Sequence, residues 1–236
     1  MSSLLEILSP MPIYSFLIIY YTNSFLRSGF MQKKEMVPQA FIRFFHAFPS
    51  GESFTLYLDE KPLAQDLLFE DFTHYFSLEP GTHTLELRHT HTHEMITTKK
   101  ISVFNQKIYT CLIAPASFKL LTPICFFLED IRRPLPDGHL VIRLGHFAAT
   151  ISRLELSLEE EKTLFRHISF GELSSYTAFP PGNYTLKLQE AATHTVLFTQ
   201  SIKLKPYRFY SVYAVGQGTK DYPYLAILPL DGPSYL

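Results

Sequence analysis

Pro80-Gly81-Thr82-His83-Thr84-Leu85-Glu86-Leu87 returns as Pro181-Gly182-Asn183-Tyr184-Thr185-Leu186-Lys187-Leu188, and that recurrence decides the fold. After the first Pro-Gly pair, His83, Leu85 and Leu87 point one way and Thr84, Glu86 and Arg88 the other. After the second, Tyr184, Leu186 and Leu188 oppose Thr185, Lys187 and Gln189. Period two is the signature of a strand with one buried face. Proline supplies a fixed φ and glycine a φ free to turn positive, the chemistry of a type II turn, so each pair is expected to start its strand sharply.

Working outward, Arg43-Phe44-Phe45-His46-Ala47 recurs as Arg143-Leu144-Gly145-His146-Phe147. Phe69 and Tyr75 recur as Phe170 and Tyr176, and Tyr109 to Ala114 as Tyr210 to Val215. Such self-similarity marks a duplicated structural unit. The first unit is expected to hold strands near Phe41 to Ala47, Ser53 to Asp59, Thr73 to Leu78, Thr82 to His89, Glu94 to Val103, Lys107 to Ala114 and Pro123 to Leu128. The second repeats them near Leu140 to Phe147, Leu154 to Leu158, Ser175 to Phe179, Tyr184 to Gln189, Val196 to Leu204, Arg208 to Val215 and Leu225 to Leu230. Short strands at turn-separated intervals, with no long helical pattern between them, predict an all-β chain of two tandem antiparallel β-sandwich domains. The expected organisation is an N-terminal extension over 1–38, a first sandwich over 39–131, a stiff Pro- and Gly-containing linker over 132–138 and a second sandwich over 139–236.

Composition agrees with strands: 21 Phe and 14 Tyr without a single Trp suit a pleated, half-buried surface. The 21 basic and 22 acidic residues leave a net charge of -1 with no long block of one sign, so nucleic acid is not an expected partner. In the extension, the apolar run Met11 to Ile19 is preceded by Glu6 and followed by Arg27, Lys33 and Lys34, the reverse of a secretory signal. Thr22, Asn23 and Ser24 interrupt it before it reaches bilayer-spanning length. A disordered or peripheral extension and a true start at Met31 are both compatible with this pattern, and the absence of a standard signal favours the cytoplasm.

Ten histidines are the main candidates for chemistry. His89, His91 and His93 alternate, so on one strand they would present three imidazoles as metal ligands. They fall where the repeat requires a hairpin tip, which cannot keep strict alternation, and the second copy retains only His194 there. The solvated tip is the preferred reading, and no cofactor is expected. His46 and His146, kept in both copies, are in phase with inward residues and are expected to hydrogen-bond backbone at a strand-to-loop corner. Together with Pro80, Gly81, Pro181 and Gly182 they are read as structural repeat positions. Arg43 and Arg143 fall on the opposite face, where exposed cross-strand charge pairs contribute only about 0.2 to 1 kcal/mol. A hairpin centred near Phe118 would set Cys111 opposite Cys125, as a disulfide in an oxidising compartment or, the preferred reading, as two buried thiols. Glu159-Glu160-Glu161 reads as a polar connection between strands. The common nucleophile, phosphate-loop and zinc-protease signatures are absent from the sequence.

Ile42-Arg43-Phe44-Phe45-His46-Ala47-Phe48-Pro49, Leu56-Tyr57-Leu58-Asp59, the Pro80-Gly81 strand and the Tyr109 strand together resemble the bacterial family known as domain of unknown function 4397. The second unit departs from the pattern at Phe147-Ala148-Ala149, which lacks the proline. The resemblance implies immunoglobulin-like sandwiches, often exported or at the cell surface, and transfers no catalytic residue. A non-enzymatic structural or protein-interaction module, with a protein or cell-envelope component as partner, is the expectation. The alternative is a module for carbohydrate or metal, using loop Tyr and His side chains.

Overall fold

The computed structural model describes residues 39–159 and 162–236, all within one compact unit. The expectations about the 1–38 extension, including Met11 to Ile19 and Met31, lie outside the described residues, as do Glu160 and Glu161. Each repeat contributes eight strands. The first holds β1 (Ala40–His46), β2 (Phe54–Leu58), β3 (Lys61–Leu67), β4 (Phe76–Leu78), β5 (Gly81–His89), β6 (Met95–Val103), β7 (Ile108–Pro115) and β8 (Pro123–Glu129). The second holds β9 (Leu140–His146), β10 (Arg153–Glu159), β11 (Lys162–Ser169), β12 (Thr177–Phe179), β13 (Gly182–Glu190), β14 (Val196–Leu204), β15 (Phe209–Val215) and β16 (Leu225–Ile227). They form four sheets, ordered β4-β1-β7-β8 and β3-β2-β5-β6 in the first repeat, β12-β9-β15-β16 and β11-β10-β13-β14 in the second. Pairing is antiparallel except for β1 with β7 and β9 with β15, so each sandwich contains one parallel pair.

The strands absent from the sequence reading are β3 and β11. β3 carries Pro62 and lies at a sheet edge, the place where a strand tolerates a residue without an N–H. Its entry is a two-residue turn with both Asp59 (φ 48°) and Glu60 (φ 66°) left-handed, the geometry of a type I′ hairpin without its usual Asn-Gly signal. β3 and β11 each also bend at a left-handed residue, Asp66 (φ 54°) and His167 (φ 53°), and these irregularities break the alternation that would have announced them. The Pro-Gly pairs do open β5 and β13. Gly81 takes φ 154° and Gly182 stays out of the positive range, so neither pair forms the expected type II turn, which needs φ near about +80° at the glycine.

Ile42, Phe44, Leu56, Leu85 and Leu87 fill the first sandwich; Ile142, Leu144, Leu156, Leu186 and Leu188 fill the second. Tyr109 and Tyr210 pin matching corners by accepting the backbone N–H of Phe104 (3.2 Å) and of Lys205 (3.1 Å), each five residues upstream, in the manner of a tyrosine corner. A third core lies between the sandwiches: Phe45, Ala47, Leu112 and Ala114 from the first repeat meet Phe147, Tyr213 and Val215 from the second. The sheets holding β1 and β7, and β9 and β15, are therefore buried on both faces, which makes four stacked layers. One layer of this joint is a size exchange. The cross-strand pair Phe45–Leu112 in the first repeat is answered by Gly145–Tyr213 in the second. A Cβ on Gly145 would lie 3.0 Å from both the Phe147 and the Tyr213 ring, so glycine is what admits the tyrosine.

Candidate functional site

The joint overturns the expectation that Arg43 and Arg143 are exposed. Both do face away from their own sandwich core on β1 and β9, but the other repeat covers that face, and they are only 3% and 2% exposed. Arg43 donates through Nε to Thr110 Oγ1 (2.9 Å), through Nη1 to the Leu230 carbonyl (2.8 Å) and through Nη2 to Asp231 Oδ1 (2.7 Å). Arg143 repeats the set with roles exchanged, to Ser211 Oγ (2.7 Å), the Glu129 carbonyl (3.0 Å) and Asp130 Oδ1 (2.5 Å). Each aspartate follows the last strand of one repeat and pairs with the arginine of the other. Own-repeat hydroxyls complete the shell: Tyr75 and Thr110 donate to Asp130, Tyr176 and Ser211 to Asp231.

Burial opposes the charge on Arg43. The surrounding oxygens of Tyr213, Tyr75, Asp130 and Asp231 outweigh it and hold its pKa above the ordinary arginine value. Arg143 behaves alike. Burial and then the neighbouring Asp130 carboxylate push Asp231 up against the pull of the two guanidinium groups. Burial also raises Tyr75, Tyr176 and Tyr213, so these phenols stay protonated. The cluster is closed to solvent and its acids and bases are spent on one another. Asp130, Asp231, Thr110 and Ser211 escaped the sequence reading. Their signal was a polar residue kept by both copies at matching places beside or within apolar strands.

His46 and His146 are fully buried and inward. Burial lowers both to a pKa of about 4, so they are neutral near pH 7. His146 Nε2 donates to the Ile151 carbonyl (3.1 Å), while the His46 ring has no such bond and packs against Phe54, 4.8 Å between centroids. His83 stands differently. Its two ring nitrogens lie 2.6 Å from Asp59 Oδ2 and 2.9 Å from the Glu79 carbonyl, both acceptors. Partial burial disfavours the charge, but these hydrogen bonds prevail and its pKa is raised; with both nitrogens occupied, it is not free to act as a base.

His89 ends β5, whereas His91 and His93 are exposed in the turn before β6, His93 in a left-handed conformation (φ 58°). The turn breaks the alternation that would align three imidazoles, and His89 instead packs its ring on Phe54 (5.5 Å) and approaches Glu52 (3.7 Å). No group of three or more His, Cys, Asp or Glu among the described residues is arranged to hold a metal. Cys111 and Cys125 are buried free thiols. Cys111 faces Phe127 and Cys125 faces Ile113, because the hairpin register is two residues away from the one expected. The thiols are thus diagonal neighbours, and a hydrogen bond to Cys125 followed by burial pushes the Cys111 thiol up.

A family model described as a domain of unknown function (DUF4397) matches residues 40–157 and 154–231. No curated protein matches the chain. Among solved structures, CBMbc (family CBM26) from Eubacterium rectale Amy13K in complex with maltoheptaose is similar at 11% identity and TM-score 0.28, covering 81% of this chain and 98% of that one. A structure reported for alpha-glucan binding by a streptococcal virulence factor is similar at 11% identity and TM-score 0.28, covering 83% and 98%. A leucine-rich repeat protein from Bacteroides thetaiotaomicron VPI-5482 shares 10% identity at TM-score 0.18, covering 76% of this chain and 26% of that one. At these scores the likeness says nothing about a ligand. No helix among the described residues is long and apolar enough to cross a membrane.

Proposed function

The chain belongs to the DUF4397 family, and from that premise we propose that it is a non-catalytic interaction module, two sandwiches locked into one rigid body that presents loops and sheet edges to a partner protein or cell-envelope component. One observation carries this reading: the arginine and aspartate shared by both repeats are consumed in the reciprocal Arg43–Asp231 and Arg143–Asp130 joint, at 0–3% exposure. Catalysis needs a nucleophile or base within reach of a substrate, and these groups have neither solvent access nor a free lone pair to offer. A flexible tether would leave the facing sheets solvated; here a shared core and charge-assisted hydrogen bonds cover both.

The test is a distance measurement between spin labels at Thr98 and Thr199, exposed positions in different repeats, in a Cys111→Val, Cys125→Ala background. One narrow distribution is expected, broadened by Asp231→Asn. A broad distribution in the starting protein would sink the rigid-module reading, and turnover of hydrolase or transferase reporter substrates above background would sink its non-catalytic part. In a parallel glycan-binding screen, retention lost on substituting the exposed Tyr207 or Tyr235 would move the assignment to the carbohydrate-binding alternative.

A further inference from the structure

The two repeats differ at one place where the difference builds a surface. In the first, a groove of about 390 Å³ lies between the start of β6 and the start of β8, with Phe48, Ile96, Met95 and Leu121 in its lining. Met95 is 53% and Leu121 47% exposed, and Leu120 beside them 57%. Two large apolar side chains left in water on the lining of one groove, with Leu120 next in sequence to one of them, mark an interaction surface. Both β6 and β8 are edge strands of their sheets, so the groove runs beside unpaired backbone.

The second repeat keeps apolar residues in place of Met95 and Ile96, as Val196 and Leu197, but Phe48, Glu52, Glu94 and Leu121 have Ala148, Ser152, Thr195 and Tyr222 as counterparts. There Tyr224 hydrogen-bonds Thr150 (2.6 Å), and Gly216 (φ 92°) lets the loop approach so closely that a Cβ would meet the Pro223 carbonyl at 1.9 Å. The matching loop of the first repeat is held differently: its Phe118 carbonyl accepts the Thr150 N–H of the second repeat (2.9 Å). The scaffold does not require the groove.

Its charge is one-sided. Glu52 and Glu94 are exposed at its edge, and its lining contains no Lys or Arg. His89, 3.7 Å from Glu52, is the remaining titratable group in the lining. We propose that this groove docks an extended basic peptide segment of a partner protein, aliphatic side chains against Met95 and Leu121 and flanking Lys or Arg beside Glu52 and Glu94. Burial of the aliphatic residues supplies affinity, and the two carboxylates supply selection against acidic segments. The proposal rests on the interaction-module reading above and deepens it.

Two capped hexapeptides, one alternating Leu with Lys and one Leu with Glu, titrated into the full chain with backbone amide shifts as readout, decide it. The basic peptide is expected to bind at least about tenfold tighter than the acidic one, with shifts centred on Met95, Ile96 and Leu121. Glu52→Gln with Glu94→Gln removes that preference, and Met95→Ser with Leu121→Ser weakens binding. All four side chains are exposed, so the variants retain the fold. Equal binding of both peptides, no binding, shifts elsewhere, or a preference that survives the glutamine pair overturns the proposal. So does self-association of the full chain that Met95→Ser with Leu121→Ser abolishes, which would assign the groove to a second copy. A narrow spin-label distance with no peptide bound sinks the groove alone, whereas a broad one sinks the module reading first.

Discussion

Asp231→Asn is the sharpest single test of the joint. The carboxylate is fully buried and accepts from Arg43 Nη2 (2.7 Å), Tyr176 Oη (2.5 Å) and Ser211 Oγ (2.7 Å). Asparagine keeps the volume, deletes the charge and turns one acceptor into a donor facing hydroxyl and guanidinium donors. Arg43 is then a buried cation without its counterion, a situation that costs about 3–5 kcal/mol. With a urea m-value of about 2–3 kcal/mol/M, the unfolding midpoint falls by about 1–2.5 M. Removing both charges together, Arg43→Met with Asp231→Leu, is expected to cost less than the sum of the two single changes, because no unpaired buried charge remains and only neutral groups, Tyr176 Oη, Ser211 Oγ and the Leu230 carbonyl, lose a partner, at about 1–3 kcal/mol each. A loss below about 1 kcal/mol for Asp231→Asn, or strict additivity in the double variant, would falsify the view that reciprocal buried pairing holds the repeats together.

The remaining expectations concern protonation and packing. Because His46 and His146 titrate near 4 when folded but near 6.5 when unfolded, the unfolded chain binds the extra protons between those values. Stability contributed by their neutral burial is therefore whole above about pH 6.5 and falls as pH drops toward 4, by about 3 kcal/mol per ring. Urea midpoints of wild type against His46→Leu with His146→Leu should diverge across that window, and parallel curves would rule the mechanism out. Gly145→Ala forces a methyl group against Phe147 and Tyr213 and should destabilise by about 1–3 kcal/mol, measured by thermal melting; a neutral result would mean the joint is loosely packed there. Cys111→Val with Cys125→Ala installs the counterparts Val212 and Ala226 of the other repeat and should change stability by less than about 1.5 kcal/mol. A larger loss would show that the thiol contact itself matters.

The hidden features have particular physical causes. The alternation after Pro80 and Pro181, and the recurrence of Tyr109 as Tyr210, were enough to read duplicated sandwiches, because side-chain period and turn chemistry are local properties. β3 was invisible because a proline, an unsignalled turn and a bulge remove that local signal. Arg43 and Arg143 were assigned to the correct face and the wrong environment. A strand pattern tells which side chains share a face, but it carries no information about what covers that face.

The chain alone therefore determined its class, its duplication, most of its strands and which residues turn toward each sandwich core. The tertiary structure decided that two nearly equivalent faces meet, that Asp130 and Asp231 cross to the opposite repeat, and that Gly145 yields its space to Tyr213. It also gathered Phe48, Met95 and Leu121, from three separate stretches of the first repeat, into one groove. The division has a single reason. Periodicity and turn preference arise between residues a few positions apart, whereas burial of a charge and formation of a groove depend on groups that only the folded chain brings together, 188 positions apart for Arg43 and Asp231.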